Sequence, residues 1–172
     1  MELSKAKQIA DSIVELLQTH CERINIAGSI RREKPEVKDI EIVYVPKKNQ
    51  KDLIAIFQIV NAWPKVKGQP LGKYTQRIIP ALIGEGETIA LDLFQASRDN
   101  WGLQLAIRTG PAEYSHKMLA ARWCGMKYQS RGGILYSLAT GKAEPMREEK
   151  DLFDFLNIPF TEPRNRKLNP LI

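Results

Sequence analysis

Cysteine and histidine are scarce in this chain, two of each in 172 residues. Cys21 and Cys124 form no CxxC pair, and no cluster joins cysteine to histidine. That argues against a structural zinc site, and the simplest reading is two free, structural thiols in a reducing compartment. No apolar run approaches the roughly 18 residues that a membrane-spanning helix needs. The first segment, MELSKAKQIADSIVELLQ, is amphipathic and charged, unlike a signal peptide. No repeat and no low-complexity tract occurs. The expectation is a monomeric protein of the cytoplasm with no membrane partner.

What is present is ordinary for a folded chain: 43% hydrophobic and 27% charged residues. The length suits one compact unit or two small subdomains. The formal net charge of +6 suits a polyanionic partner, although many basic proteins bind no nucleic acid.

Periodicity predicts helices and strands in alternation. Glu2 to Thr19 places Ile9, Ile13, Leu16 and Leu17 on one stripe, filled by Leu3, Ala6 and Ala10, which predicts a helix buried on one face. Ile24 to Ala27 reads as a short strand ending at Gly28-Ser29. Val37 to Pro46 alternates as a second strand. Gln50 to Val60 reads as a helix with Leu53, Ile54, Phe57 and Val60 on its apolar side. Val66, Tyr74 to Ile79 and Thr88 to Phe94 read as further strands, with Gly84-Glu85-Gly86 as the turn between the last two. Two helices and about five strands predict an α+β unit, a mixed sheet with helices on one face.

Composition shifts after Phe94, and a boundary near Ala96 divides the chain into 1–96 and 97–172. Asn100 to Arg108 and Ala112 to Trp123 read as helices split by Thr109-Gly110-Pro111, with Gly125 ending the second. Lys127 to Gln129 and Gly133 to Tyr136 suggest a hairpin. Arg147 to Phe155 reads as a last helix, and the tail from Pro159 as extended. Trp63, Trp101 and Trp123 read as packing residues. His116 reads as exposed, and His20 as sitting near the end of the first helix.

The chemistry concentrates in GSIRREKPEVKDIEIVYV, Gly28 to Val45. Asp39 and Glu41 are two apart on a strand, so they share a face, while Ile40 and Ile42 point to the other. Asp92 in IALDLF is flanked by Leu91 and Leu93 and faces away from them. If its strand neighbours the first, three carboxylates meet. Gly28 lets the backbone approach phosphate, Ser29 donates to anionic oxygen, and Arg31 and Arg32 add charge. Phosphoryl transfer needs such an arrangement: carboxylates for magnesium, donors for phosphate, and little covalent work from the protein. Each piece alone is common, a turn or a solvent face. Their combination carries the weight.

In order and spacing these residues resemble the DNA polymerase beta-like nucleotidyltransferase superfamily. That signature is Gly-Ser, about ten residues, Asp-x-Asp or Asp-x-Glu, then a later Asp. GSIRRE resembles the GSFRRG of family X DNA polymerases, and Thr109-Gly110 with Glu113-Tyr114 resembles that family's thumb motif. REEKDLFDFLNIPFTEPRNR resembles its C-terminus. The resemblance implies a nucleotidyltransferase palm over 1–96 and a small α/β thumb over 97–172. No lyase-like domain and no helix-hairpin-helix glycine motif is seen, the layout of the smallest viral members. It implies Asp39, Glu41 and Asp92 as catalytic ligands of magnesium (or manganese). Gly28, Ser29 and Arg32 fall on triphosphate-binding positions, and Thr109 and Gly110 on positions lining the sugar. Two departures stand out. Glu41 replaces the usual Asp, and Ile107 and Arg108 stand where relatives carry an aromatic pair.

The implied function is templated addition of deoxynucleotides to a DNA 3′-hydroxyl, suited to short gaps in repair, with gapped or primed DNA and nucleoside triphosphates as partners. The excess of Lys and Arg from Arg98 to Arg131 makes Lys117, Arg122, Lys127 and Arg131 candidates for DNA phosphates, against the plainer reading of a solvated face. Two alternatives stand beside it: a template-independent nucleotidyltransferase acting on a nucleic-acid end or small molecule, and an inactive DNA-binding module.

Overall fold

A computed structural model describes residues 1–80 and 86–167. The chain divides into two compact units, Met1–Gln95 and Ala96–Ile172. The fold is α+β with a mixed sheet. No helix among the described residues is long and apolar enough to cross a membrane.

The first unit is built on five strands: β1 (Cys21–Ile26), β2 (Asp39–Pro46), β3 (Lys65–Lys67), β4 (Tyr74–Pro80) and β5 (Thr88–Gln95). Their spatial order is β1-β2-β5-β4-β3. The β2–β5 pair is parallel and the other pairs are antiparallel. Helices α1 (Leu3–Gln18), α2 (Gly28–Arg31) and α3 (Gln50–Asn61) complete the unit. Ala6, Ile9, Ala10, Ile13 and Leu17 of α1 recur at helical spacing and pack on Ile40, Ile42, Leu91 and Leu93 of the two central strands. Ile56 and Val60 of α3 join the same core.

Two helix faces differ from expectation. Leu16 of α1 is 53% exposed, and Ile54 and Phe57 of α3 are 48% and 46% exposed. In α3 the buried pair is Ile56 and Val60, four apart. Of the expected face, Val60 is buried and Leu53 half-buried, while Ile54 and Phe57 are exposed and Ile56 takes their place in the core. Leu53, Ile54, Phe57 and Leu71 are left lining an open apolar groove of about 470 Å³.

Asn49 caps α3. Its Oδ1 accepts from the Asp52 amide at 3.0 Å, and its Nδ2 donates to Asp52 Oδ2 at 2.6 Å. His20 Nδ1 lies 2.7 Å from Asp52 Oδ1, tying the end of α1 to the start of α3. The His20 contact first, and the Asn49 contact after it, hold the Asp52 carboxyl below its ordinary range. Arg77, fully buried, serves the other end of α3. Its Nε donates to the Val60 carbonyl at 3.1 Å, and its Nη1 to Lys67 and Gln76 carbonyls at 3.1 and 2.9 Å. Of the expected turn between β4 and β5, Gly84 and Glu85 lie outside the described residues.

The second unit begins with α4 (Trp101–Thr109). Next come α5 (Ala112–Tyr114), a π-helical stretch (Ser115–Ala120) and α6 (Ala121–Gly125), where the sequence predicts one α-helix. No residue pattern marks the π turn. The residue with positive φ after α6 is Lys127, not Gly125. Strands β6 (Tyr128–Arg131), β7 (Ile134–Ser137) and β8 (Ala143–Glu144) form an antiparallel sheet, β8 being absent from the sequence expectation. Gly132 and Gly133 both have positive φ between the paired residues Arg131 and Ile134, the two-residue turn that matches strand twist.

Helix α7 (Glu149–Phe155) packs Leu152 and Phe153 into a core with Leu103, Leu119 and Leu135. Gly102 lets α4 meet the loop leading into α7: a Cβ there would lie 2.0 Å from the Glu148 carbonyl oxygen. The tail is not simply extended. It forms a short 3-10 helix (Pro163–Asn165), and Arg166 turns inward. Its Nη1 meets Glu149 Oε1 at 2.6 Å, and its guanidinium lies against the Phe153 and Phe160 rings. Removing one member of such a buried pair costs about 3–5 kcal/mol.

Trp101 and Trp123 are buried, as packing residues should be, and His116 is exposed. Cys124 is exposed, against the structural role expected of it, while Cys21 is buried. Burial pushes the Cys21 thiol up from 9.0 to about 12. The unfolded chain therefore releases this proton first, and its contribution to stability, full below pH 9.0, falls as pH rises beyond. In a thiol-reagent titration at pH 8, Cys124 should react at once and Cys21 only after denaturant is added. Equal rates for both thiols in the native protein would contradict the packing around Cys21.

Candidate active site

The site begins where β1 ends. The Ala27 amide donates to the Glu41 carbonyl at 2.8 Å, which holds the turn after β1 against β2. Gly28 follows with φ +60°. A Cβ on Gly28 would fall 1.9 Å from Glu41 Oε2, so the Glu41 carboxylate occupies the space that any other residue would fill. Helix α2 then makes a single turn, pinned to the core by Ile30. The Lys34 amide donates to the Ser29 carbonyl at 3.0 Å, closing the loop. Ser29 Oγ is buried and makes no hydrogen bond among the described residues. A buried polar atom left unpaired costs about 1–3 kcal/mol, which marks it as a position waiting for a partner.

The carboxylates come from the central strands. In the parallel pair, Asp39 stands opposite Ala90 and Glu41 opposite Asp92. Residues directly opposite share a face, so Asp39, Glu41 and Asp92 lie on one side of the sheet. Ile40, Ile42, Leu91 and Leu93 fill the core on the other. The Tyr74 hydroxyl donates to Asp92 Oδ1 at 3.1 Å, and the Tyr74 ring stacks on Phe94 with centroids 5.2 Å apart. No hydrogen bond or ion pair engages the Asp39 side chain among the described residues. Three acids on one face repel one another, and a cation offsets that repulsion.

The donor set is all oxygen, which suits magnesium or manganese. Among the described residues, no group of three His, Cys, Asp or Glu side chains is placed to hold a metal ion. Magnesium does not require one: it keeps waters and takes one or two carboxylates plus substrate phosphates.

Beside Asp39 and Glu41 opens a cleft of about 520 Å³, lined also by Ser29, Arg32, Lys34 and Lys38. The cleft places anion donors next to the carboxylates. Lys34 and Lys38 were not singled out from the sequence. Neither side chain is engaged in a hydrogen bond or ion pair among the described residues. Their position between the turn and the strand was a readable signal. Tyr74 was not readable, because its contact depends on the β4–β5 register.

The remaining candidates lie in the second unit. Thr109 is fully buried at the end of α4. Gly110 has a local packing reason, since a Cβ there would lie 2.6 Å from Ser115 Oγ and 2.9 Å from the Tyr114 ring. Lys117 pairs with Glu113 at 2.7 Å, an exposed contact of little energetic worth. Arg131 bonds Gln129 and lies over the Tyr136 ring. Arg122 and Lys127 are exposed.

The contact between Gly28 and Glu41 is testable. Gly28→Ala should destabilise the protein by at least about 1–2 kcal/mol, since an L-residue must adopt left-handed backbone. It should also displace the Glu41 carboxylate. Shortening that side chain withdraws it, so Glu41→Asp should reduce the Gly28→Ala penalty in a double-mutant cycle read by denaturant melts. Strict additivity would show that the two residues do not touch.

No protein-family model matches this chain, and no curated protein matches it significantly.

Proposed function

We propose that the chain is a metal-dependent nucleotidyltransferase, specifically a template-directed DNA polymerase of the family X type that fills short gaps. On this reading the first unit is the palm and the second the thumb. The observation that carries it is the parallel register setting Asp92 opposite Glu41, with Asp39 on the same face, beside the cleft holding Ser29 and Arg32.

The reaction joins the 3′-oxygen of a DNA end to the α-phosphorus of a nucleoside triphosphate. The bond from that phosphorus to the bridging oxygen breaks, and pyrophosphate leaves with the electron pair. The proton of the 3′-hydroxyl passes to Asp92 or to water. Ser29, Arg32, Lys34 and Lys38 hold the outer phosphates, where negative charge grows as the bond breaks. Asp39, Glu41 and Asp92 would hold magnesium, which when bound supplies positive charge to the reacting oxygens. Tyr74 orients the Asp92 carboxylate through its hydrogen bond to Oδ1. Thr109 and Gly110 are assigned to the sugar by resemblance alone.

The test is nucleotide addition to gapped, primed and single-stranded DNA with each triphosphate in turn. The wild-type protein should add the templated nucleotide in the presence of magnesium. Asp92→Asn should slow addition by about 10²–10⁴-fold while the variant still melts like the wild type. Addition regardless of template would favour the template-independent reading, and no addition to any DNA would sink the polymerase reading and leave transfer to a small molecule as the alternative.

A further inference from the structure

The carboxylate row does not stop at Asp92. Gln76 of β4 stands opposite Asp92, and Lys67 of β3 stands opposite Gln76. Glu41, Asp92, Gln76 and Lys67 thus form one line across the sheet, from its centre to its open edge at β3. Tyr74 confirms that Lys67 is on the acid face. Its hydroxyl bonds Asp92, while Lys67 Nζ lies 5.7 Å from the centre of its ring. Lys67 is exposed, and no ion pair engages its ammonium among the described residues.

We infer that this line is the track of the acceptor DNA strand, with Lys67 holding a backbone phosphate behind the reacting 3′-hydroxyl. The inference rests on the polymerase reading and extends it to a surface that reading does not assign. Two strand spacings of about 4.8 Å separate Asp92 from Lys67. A DNA strand carries a phosphate about every 3.4 Å of its axis, so a strand ending at Asp92 has phosphates across that span. The half-buried Tyr74 ring, backed by the buried Phe94 ring, offers an apolar edge beside the terminal sugar. Edge strands also carry lysine simply to discourage strand pairing, and that plainer role makes a different prediction.

The experiment measures binding of primed DNA across a salt series for the wild type, Lys67→Gln, Lys67→Arg and a control, Lys51→Gln. Lys51 is an exposed charge on α3, which packs on the opposite face of the sheet. Loss of one phosphate contact should make the slope of log affinity against log salt shallower by about 0.9 for Lys67→Gln alone. The KM for primed DNA should rise, and the KM for the triphosphate should stay unchanged. Lys67→Arg should keep the wild-type slope. If Lys67→Gln matches Lys51→Gln while the wild type binds and extends the primer, the strand track is wrong and the polymerase reading stands. If the wild type binds no primed DNA, both fall together.

Discussion

The parallel pairing of β2 with β5 is the constraint on which the rest of the first unit depends. It aligns Ile40, Ile42, Leu91 and Leu93 on one face and Asp39, Glu41 and Asp92 on the other. A slip of one residue in either strand would turn apolar side chains to the acid face and drive acids into the core. Burial of the apolar face therefore fixes the register, and the register fixes the acids. Core and site have the same cause. A parallel pair also needs a long connection, which here carries α3, β3 and β4. That connection delivers Tyr74 to Asp92 and Lys67 to the sheet edge.

The turn at Gly28 adds a second constraint of short range. The Ala27 amide is held by the Glu41 carbonyl, and the Glu41 carboxylate fills the space above Gly28. Turn and carboxylate are one packed object. That gives the long Glu41 side chain a physical setting at this position. The second unit has its own device. Arg166 reaches Glu149 through the core, so the tail, α7 and the carbonyl of Ala106 in α4 are closed by one side chain.

Much of this was legible in the sequence. The alternation of Asp39, Ile40, Glu41 and Ile42 gives the shared face directly, because strand geometry has a period of two. The flanking leucines orient Asp92 in the same way. Gly28-Ser29 announces a turn. What alternation cannot give is which strands are neighbours, so the pairing of Glu41 with Asp92 and the row ending at Lys67 needed the sheet order. The sequence places Val60 in the core but cannot choose between Ile56 and the pair Ile54 and Phe57, because apolar residues occur on several sides of α3. The inward turn of Arg166 has no local sequence signal, since an arginine in a polar tail ordinarily reads as solvent-exposed. Its burial depends on two aromatic rings and a carboxylate drawn from elsewhere in the unit.

The central claim is that these carboxylates and the neighbouring cleft bind one metal–triphosphate unit together. Manganese binding followed by electron paramagnetic resonance tests it most directly, with and without a non-hydrolysable deoxynucleoside triphosphate. The account predicts weak binding of the ion alone and tight binding with the triphosphate. That gain should be lost in Asp39→Asn and reduced in Ser29→Ala. Equal binding of the metal–triphosphate by the wild type and Asp39→Asn would contradict it.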